Sequence, residues 1–163
     1  MPAFTSLSFN IGCDETYDLG RGKSKKLVAE IGLGRVYMGH ILRLREIAAR
    51  LGRCIQVWGD IILRYPELIP EVPEDVTWLD WGYEARETYD SVNAFANAGR
   101  PFLVCPGTSS WNTLFPRLDN ANANIRNFVR DGVAAGAMGM LNTDWGDRGH
   151  YQPLGQSFYG YIF

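Results

Sequence analysis

The chain has 163 residues and a formal charge of −2, with 46% hydrophobic and 21% charged residues. That composition supplies an apolar core and excludes disorder, and the near-balanced charge argues against a nucleic-acid partner. No apolar run approaches the ~20 residues of a membrane span, no signal-type leader is visible, and Cys13, Cys54 and Cys105 lack the number and spacing of a disulfide framework or zinc site.

Leu7 to Ile11 reads as a short apolar strand. Ser24 to Leu51 reads as helical, with Ser24 as a cap and Leu27, Val28, Ile31, Ile41, Leu42, Leu44, Ile47, Ala48 and Leu51 at helical spacing. Gly32, Gly34 and Gly39 interrupt the pattern, so it can be one helix or two, and Gly52 ends it. Cys54, Ile55 and Val57 form a second strand. A loop with Pro66, Pro70 and Pro73 follows, then a short third strand around Val76. Glu84 to Ala98 is expected to be helical, with Gly99 at its stop. Phe102 to Cys105 is a fourth strand, broken by Pro106-Gly107. Leu118 to Arg130 is helical and closed by Asp131-Gly132. Ala137 to Leu141 is the last strand, and Leu154 to Phe163 begins a further helix.

Strands alternating with helices imply an α/β fold built from βαβ units around a parallel sheet. Five strands and this length favour an open doubly wound sheet, since a closed (β/α)8 barrel needs about 250 residues. The strand ends point the other way. Asp14-Glu15 follow the first strand, and Trp58 and Asp60 the second. Trp78, Asp80, Trp81 and Tyr83 follow the third; Ser109, Ser110 and Trp111 the fourth; Asn142, Asp144, Trp145 and Asp147 the fifth. A functional rim drawn from every strand is barrel behaviour.

Carboxylates and amides bond hydroxyl groups, and an indole face covers the apolar side of a sugar ring. A rim of Trp with Asp and Glu therefore suits a neutral carbohydrate. Taken singly, each tryptophan is explained as core and each acid as a helix cap; the five strand ends together are not. Asp14 and Glu15 are adjacent, and neighbours about 3.8 Å apart in extended chain point in different directions. They make a poor pair of opposed carboxyls about 5 to 9.5 Å apart across a glycosidic bond. They suit a scheme in which one protonates the leaving oxygen and the other serves a different part of the same sugar.

The stretch Phe9-Asn-Ile-Gly-Cys-Asp-Glu-Thr16 resembles the fourth-strand motif of glycoside hydrolase family 20, the β-N-acetylhexosaminidases. Val57-Trp58-Gly59-Asp60 resembles the family's fifth-strand Trp motif, and the likeness continues through Trp78 to Tyr83 and Asn142-Thr143-Asp144. It covers nearly the whole chain. It implies a partial (β/α)8 barrel, about strands four to eight with their helices, in which residues 1–163 are a single truncated catalytic domain and three β/α units are missing upstream. It also implies removal of terminal β-linked N-acetylglucosamine or N-acetylgalactosamine by a substrate-assisted retaining mechanism, with no cofactor. By the same resemblance Glu15 is the general acid and base, and Asp14 holds the 2-acetamido N–H. Trp58, Trp81, Trp111 and Trp145 wall the sugar pocket, and Asp144 binds outer hydroxyls. The chain departs from the pattern at Asn142, where the family often has Trp. It also departs at Gly107 to Trp111, which lacks the family's tyrosine; Ser109 or Ser110 is the available substitute there.

Other signals are weaker. Gly20-Arg-Gly-Lys-Ser24 has the tail of a phosphate-binding loop, but Tyr17 stands where that loop needs glycine. Gly32, Gly34 and Gly39 lie in a helical pattern rather than at a strand–helix turn. Arg21, Lys23, Lys25 and Lys26 read as a solvated face, His40 as structural and Cys13 as a small filler. Two alternatives stand beside the glycosidase: a non-catalytic carbohydrate-binding barrel, and a metal-dependent hydrolase using Asp144, Asp147 and His150. An open piece of barrel also leaves two sheet edges, which predicts aggregation or partner pairing.

Overall fold

The computed structural model describes residues 4–162. The fold is α/β. Among the described residues four strands, β1 (Ser8–Asn10), β2 (Cys54–Trp58), β3 (Val76–Trp81) and β4 (Phe102–Cys105), form one sheet in the order β1-β2-β3-β4. The pairings are parallel: Phe9 lies opposite Ile55, and Val57 opposite Trp78. Neighbours in the chain are neighbours in the sheet. A doubly wound sheet reverses its strand order at a switch point, and these strands show no reversal. Among the described residues five helices accompany them: α1 (Lys25–Ile31), α2 (Leu33–Arg50), α3 (Val92–Asn97), α4 (Leu118–Ala134) and α5 (Tyr159–Ile162).

The chain divides into two compact units. The first runs to Leu79 and includes Ala94–Pro101. The second comprises Asp80–Asn93 and the residues from Phe102 onward.

In the first unit, Gly32 at φ +85° separates α1 from α2, so the interrupted pattern gives two helices. Ser24 stands at the start of α1, but its hydroxyl accepts the Gly20 N–H at 2.9 Å instead of capping the helix. Helix α1 buries no side chain, and Leu27 and Ile31 are exposed. Helix α2 turns Tyr37, Met38, Ile41 and Ala48 inward at helical spacing and packs on β2. Ile41, Ile55, Val57, Val76, Trp78 and Leu79 are fully buried, each such burial contributing ~1.5–3 kcal/mol. Gly34 is required by close packing: a Cβ there would stand 2.6 Å from the Tyr65 ring. The proline-bearing loop is partly ordered as 3₁₀ turns over Ile62–Arg64 and Pro66–Glu71.

Strand β3 is longer than its sequence suggests. Trp78, expected beyond the strand end, lies within β3 and stacks on Phe95 with ring centroids 5.9 Å apart, so it is core rather than rim.

In the second unit, α4 packs on β4 at Gly132, where a Cβ would meet Val104 at 2.6 Å. The helix runs on to Ala134, past the Asp131-Gly132 stop read from sequence, and Gly136 at φ +83° follows it. The helix expected over Glu84 to Ala98 shortens to α3. Its first half is held by tertiary bonds: the Ala85 N–H goes to Asn120 Oδ1 at 2.9 Å and the Tyr89 N–H to Asp131 Oδ2 at 2.8 Å. Tyr89 stacks on Phe128 at 4.2 Å. The expected fifth strand, Ala137 to Leu141, is not a continuous strand. It runs beside β4 through isolated parallel bridges, Val104 with Met140 and Gly107 with Thr143. The C-terminal helix begins as a 3₁₀ turn over Leu154–Phe158 and continues as α5; Phe163 lies outside the described residues.

Candidate functional site

The turn after β1 carries the acid pair. Gly12 and Cys13 both have φ +71°, and Glu15 has φ +49°. Left-handed backbone at residues other than glycine costs ~1–3 kcal/mol and persists only where its surroundings hold it. The holders are visible. Asn10 Oδ1 accepts the Gly12 N–H at 2.7 Å, and the Gly12 carbonyl accepts the Trp58 N–H at 3.2 Å. The Tyr37 hydroxyl donates to the Cys13 carbonyl at 3.0 Å. The Glu15 N–H donates to Asp60 Oδ2 at 3.0 Å, and the Tyr17 hydroxyl donates to Glu15 Oε1 at 2.8 Å. The backbone here is not the extended chain assumed from adjacency, so alternation does not set the directions of Asp14 and Glu15. Both residues are exposed to solvent.

Asp60, read from the sequence as a strand-end acid, and Tyr17, which the residue-type argument did not select, emerge as partners of Glu15. Their signal was positional: Tyr17 lies two residues beyond Glu15, and Asp60 two beyond Trp58 at the end of β2. Burial, and then the neighbouring Asp14, push the Cys13 thiol up. Trp58 is only 6% exposed.

In the second unit, three of the four tryptophans singled out from the sequence surround Tyr83. Trp81 stacks on the Tyr83 ring at 5.2 Å, and Trp111 meets it edge-on at 5.0 Å. The Trp145 indole N–H donates to the Tyr83 hydroxyl at 2.9 Å. All three indoles keep part of their surface exposed.

Asp144 stands in a hydroxyl cradle. Its Oδ1 is 3.0 Å from Thr108 Oγ1 and 2.8 Å from Ser110 Oγ. Ser110 meets Ser157 at 2.8 Å, and His150 Nε2 lies 3.7 Å from the carboxylate. Burial pushes the Asp144 carboxyl up, but the hydroxyls of Ser157, Ser110 and Thr108, with His150 nearby, outweigh it and hold the group below the usual range. The Ser109 hydroxyl accepts from Asn120 at 2.8 Å, so both serines considered in place of a tyrosine are engaged. Asp147 is exposed. Among the described residues no three His, Cys, Asp or Glu side chains gather as a metal-holding group, which leaves the Asp144, Asp147 and His150 alternative without a coordination geometry.

One further carboxyl departs from its ordinary state. Asp80, at the end of β3, is 1% exposed. Burial pushes its pKa up to about 7, against a smaller opposing contribution from the Ser91 hydroxyl. Neither carboxylate oxygen has a partner of full hydrogen-bond geometry, so desolvation dominates. Among the described residues no helix is long and apolar enough to cross a membrane.

These observations define a class: an α/β protein with a parallel, sequentially ordered sheet and acidic and aromatic residues near its strand ends. Its fold is similar to that of a β-N-acetylhexosaminidase from Bacteroides fragilis NCTC 9343, with a TM-score of 0.59 and 18% sequence identity. The likeness covers 96% of this chain and 35% of that one, so the chain spans about a third of its neighbour's length. At that identity the likeness is one of fold. No family model and no curated protein matches the sequence.

Proposed function

We propose that this chain is the strand-four-to-eight portion of a (β/α)8 glycosidase domain that removes terminal β-linked N-acetylhexosamine by substrate-assisted retention. One observation carries the reading: the adjacent acids Asp14 and Glu15 occupy a left-handed turn held by Tyr37, Trp58 and Asp60, in a chain whose fold resembles a hexosaminidase. Strain retained at a strand-end turn is a mark of functional sites.

In this reading Glu15 protonates the glycosidic oxygen as the carbon–oxygen bond to the leaving group breaks. The carbonyl oxygen of the sugar's own 2-acetamido group attacks the anomeric carbon and forms an oxazolinium ion. Asp14 accepts a hydrogen bond from the acetamido N–H and balances the developing positive charge. Glu15, now ionised, takes a proton from water as the water opens the oxazolinium, restoring the acid with retention at the anomeric carbon. Trp81, Trp111 and Trp145 are assigned to the sugar's apolar faces, whereas Trp58, at 6% exposure, is assigned to the packed layer that holds the acid turn. Asp144 is assigned to its outer hydroxyls, a role suited to an ionised carboxylate. No cofactor takes part.

The test compares p-nitrophenyl N-acetyl-β-glucosaminide with p-nitrophenyl β-glucoside. The reading expects hydrolysis of the first at least 100-fold faster, since only it carries the internal nucleophile. Equal rates, or no turnover together with no binding of N-acetylglucosamine, overturn it.

A further inference from the structure

The first unit contains a cleft of about 550 Å³ that the proposed chemistry does not use. Leu19, Val36 and the Tyr37 ring give it an apolar wall, and Arg21, Lys23 and His40 stand in its lining. Asp18 is its one acid, so the two fixed cations leave the lining net positive at neutral pH. Among the described residues neither Arg21 nor Lys23 has a carboxylate within ion-pair distance. The Tyr37 hydroxyl is bonded to the Cys13 carbonyl, which fixes the ring that walls the cleft. Thr16, also in the lining, has a buried hydroxyl without a partner. An apolar cavity of this size with a few convergent polar groups is the usual form of a small-molecule site.

We propose that this cleft binds a small amphipathic anion: a flat apolar body against Leu19, Val36 and Tyr37, with a phosphate head between Arg21 and Lys23. Charge complementarity selects the head, since a guanidinium and an ammonium with no carboxylate partner among the described residues favour an anion over a neutral group. The apolar wall selects the body, since inorganic phosphate leaves that surface in water. Cys13 and Thr16 lie on either side of Asp14-Glu15 and also line the cleft, so an occupant touches the turn that carries the acids. The inference stands apart from the glycosidase reading, because its readout is binding and not turnover.

The experiment titrates the full chain with phenyl phosphate, phenol and inorganic phosphate, following amide chemical shifts by NMR. Phenyl phosphate is expected to bind at least tenfold tighter than either fragment, with shifts concentrated at Leu19, Val36 and Tyr37. The exposed double substitution Arg21→Gln and Lys23→Gln is expected to weaken it at least tenfold. Val36→Trp, which fills the cleft, is expected to remove binding; Leu19→Trp serves if that variant does not fold. Equal affinity for phenyl phosphate and inorganic phosphate identifies a bare surface charge and overturns the proposal. Absence of binding, or shifts lying elsewhere, also overturns it.

Discussion

The Trp145 indole N–H donates to the Tyr83 hydroxyl at 2.9 Å, joining residues 62 positions apart. With Trp81 stacked on one side of Tyr83 and Trp111 edge-on, the tyrosine organises an aromatic group that no single sequence motif displays. Tyr83→Phe keeps the ring and deprives the indole of this acceptor. The variant is expected to fold with a stability loss of about 1 kcal/mol by urea denaturation. Tryptophan fluorescence titration is expected to show several-fold weaker binding of N-acetylglucosamine; unchanged binding would separate this aromatic group from the sugar.

Glu15→Gln removes the transferable proton while preserving shape. Hydrolysis of the N-acetylglucosaminide is expected to fall by about 10²–10⁴-fold, with sugar binding nearly intact. Asp14→Asn is expected to cost turnover as well, and more strongly for acetamido substrates than for any residual activity on plain glucosides. Steady-state kinetics on both substrates measure the difference, and an unchanged rate in Glu15→Gln would remove Glu15 from the role.

Asp80 couples stability to pH. In the unfolded chain its carboxyl ionises near the ordinary value of 3.8, whereas in the folded protein burial holds the proton to about 7. Between those values the unfolded state binds fewer protons, so stability falls as pH rises from about 4 to 7. Asp80→Asn is expected to flatten this slope and to stabilise the protein at pH 8 by a few kcal/mol. Thermal melts across that range provide the measurement; identical slopes in the two proteins would refute the assignment.

Asp144 acts in the opposite sense. Its folded pKa is depressed, so the stabilisation it contributes is present above 3.8 and is lost as pH falls through the folded value. Ser110→Ala deletes one of the donors that keep it ionised. The variant is expected to lose about 1–2 kcal/mol near neutral pH, with the deficit shrinking in acid. Denaturation series near neutrality and below 3.8 check the trend.

Gly34 tests the packing of α2. With a Cβ placed 2.6 Å from the Tyr65 ring, Gly34→Ala is expected to destabilise by about 1–3 kcal/mol, although alanine is the better helix former. A rise in melting temperature would show that the ring moves aside freely.

Much of this was legible in the residues themselves. The apolar runs at Cys54 and Phe102 mark β2 and β4, whose buried residues cover both faces, while the run from Leu7 contains β1, of which only Phe9 is shielded from solvent. Gly32 marks the break between α1 and α2, because its positive φ is open to glycine at little cost. The Asp14-Glu15 pair was legible from its place after the first strand, its adjacency and the motif around it.

Tertiary structure decided the rest. The segment from Glu84 has helical composition, but Asn120 and Asp131 take its amide protons, and local propensity cannot anticipate partners 35 and 42 residues away. Trp78 and Trp81 are chemically alike in the sequence; position along β3 buries the first completely and leaves the second partly open. The left-handed turn at Cys13 and Glu15 is invisible in residue type, since neither favours that conformation, and it exists because Tyr37, Trp58 and Asp60 hold it. Residue chemistry determined which groups could act, and long-range packing and hydrogen bonding decided which were buried, which were held, and in what charge state.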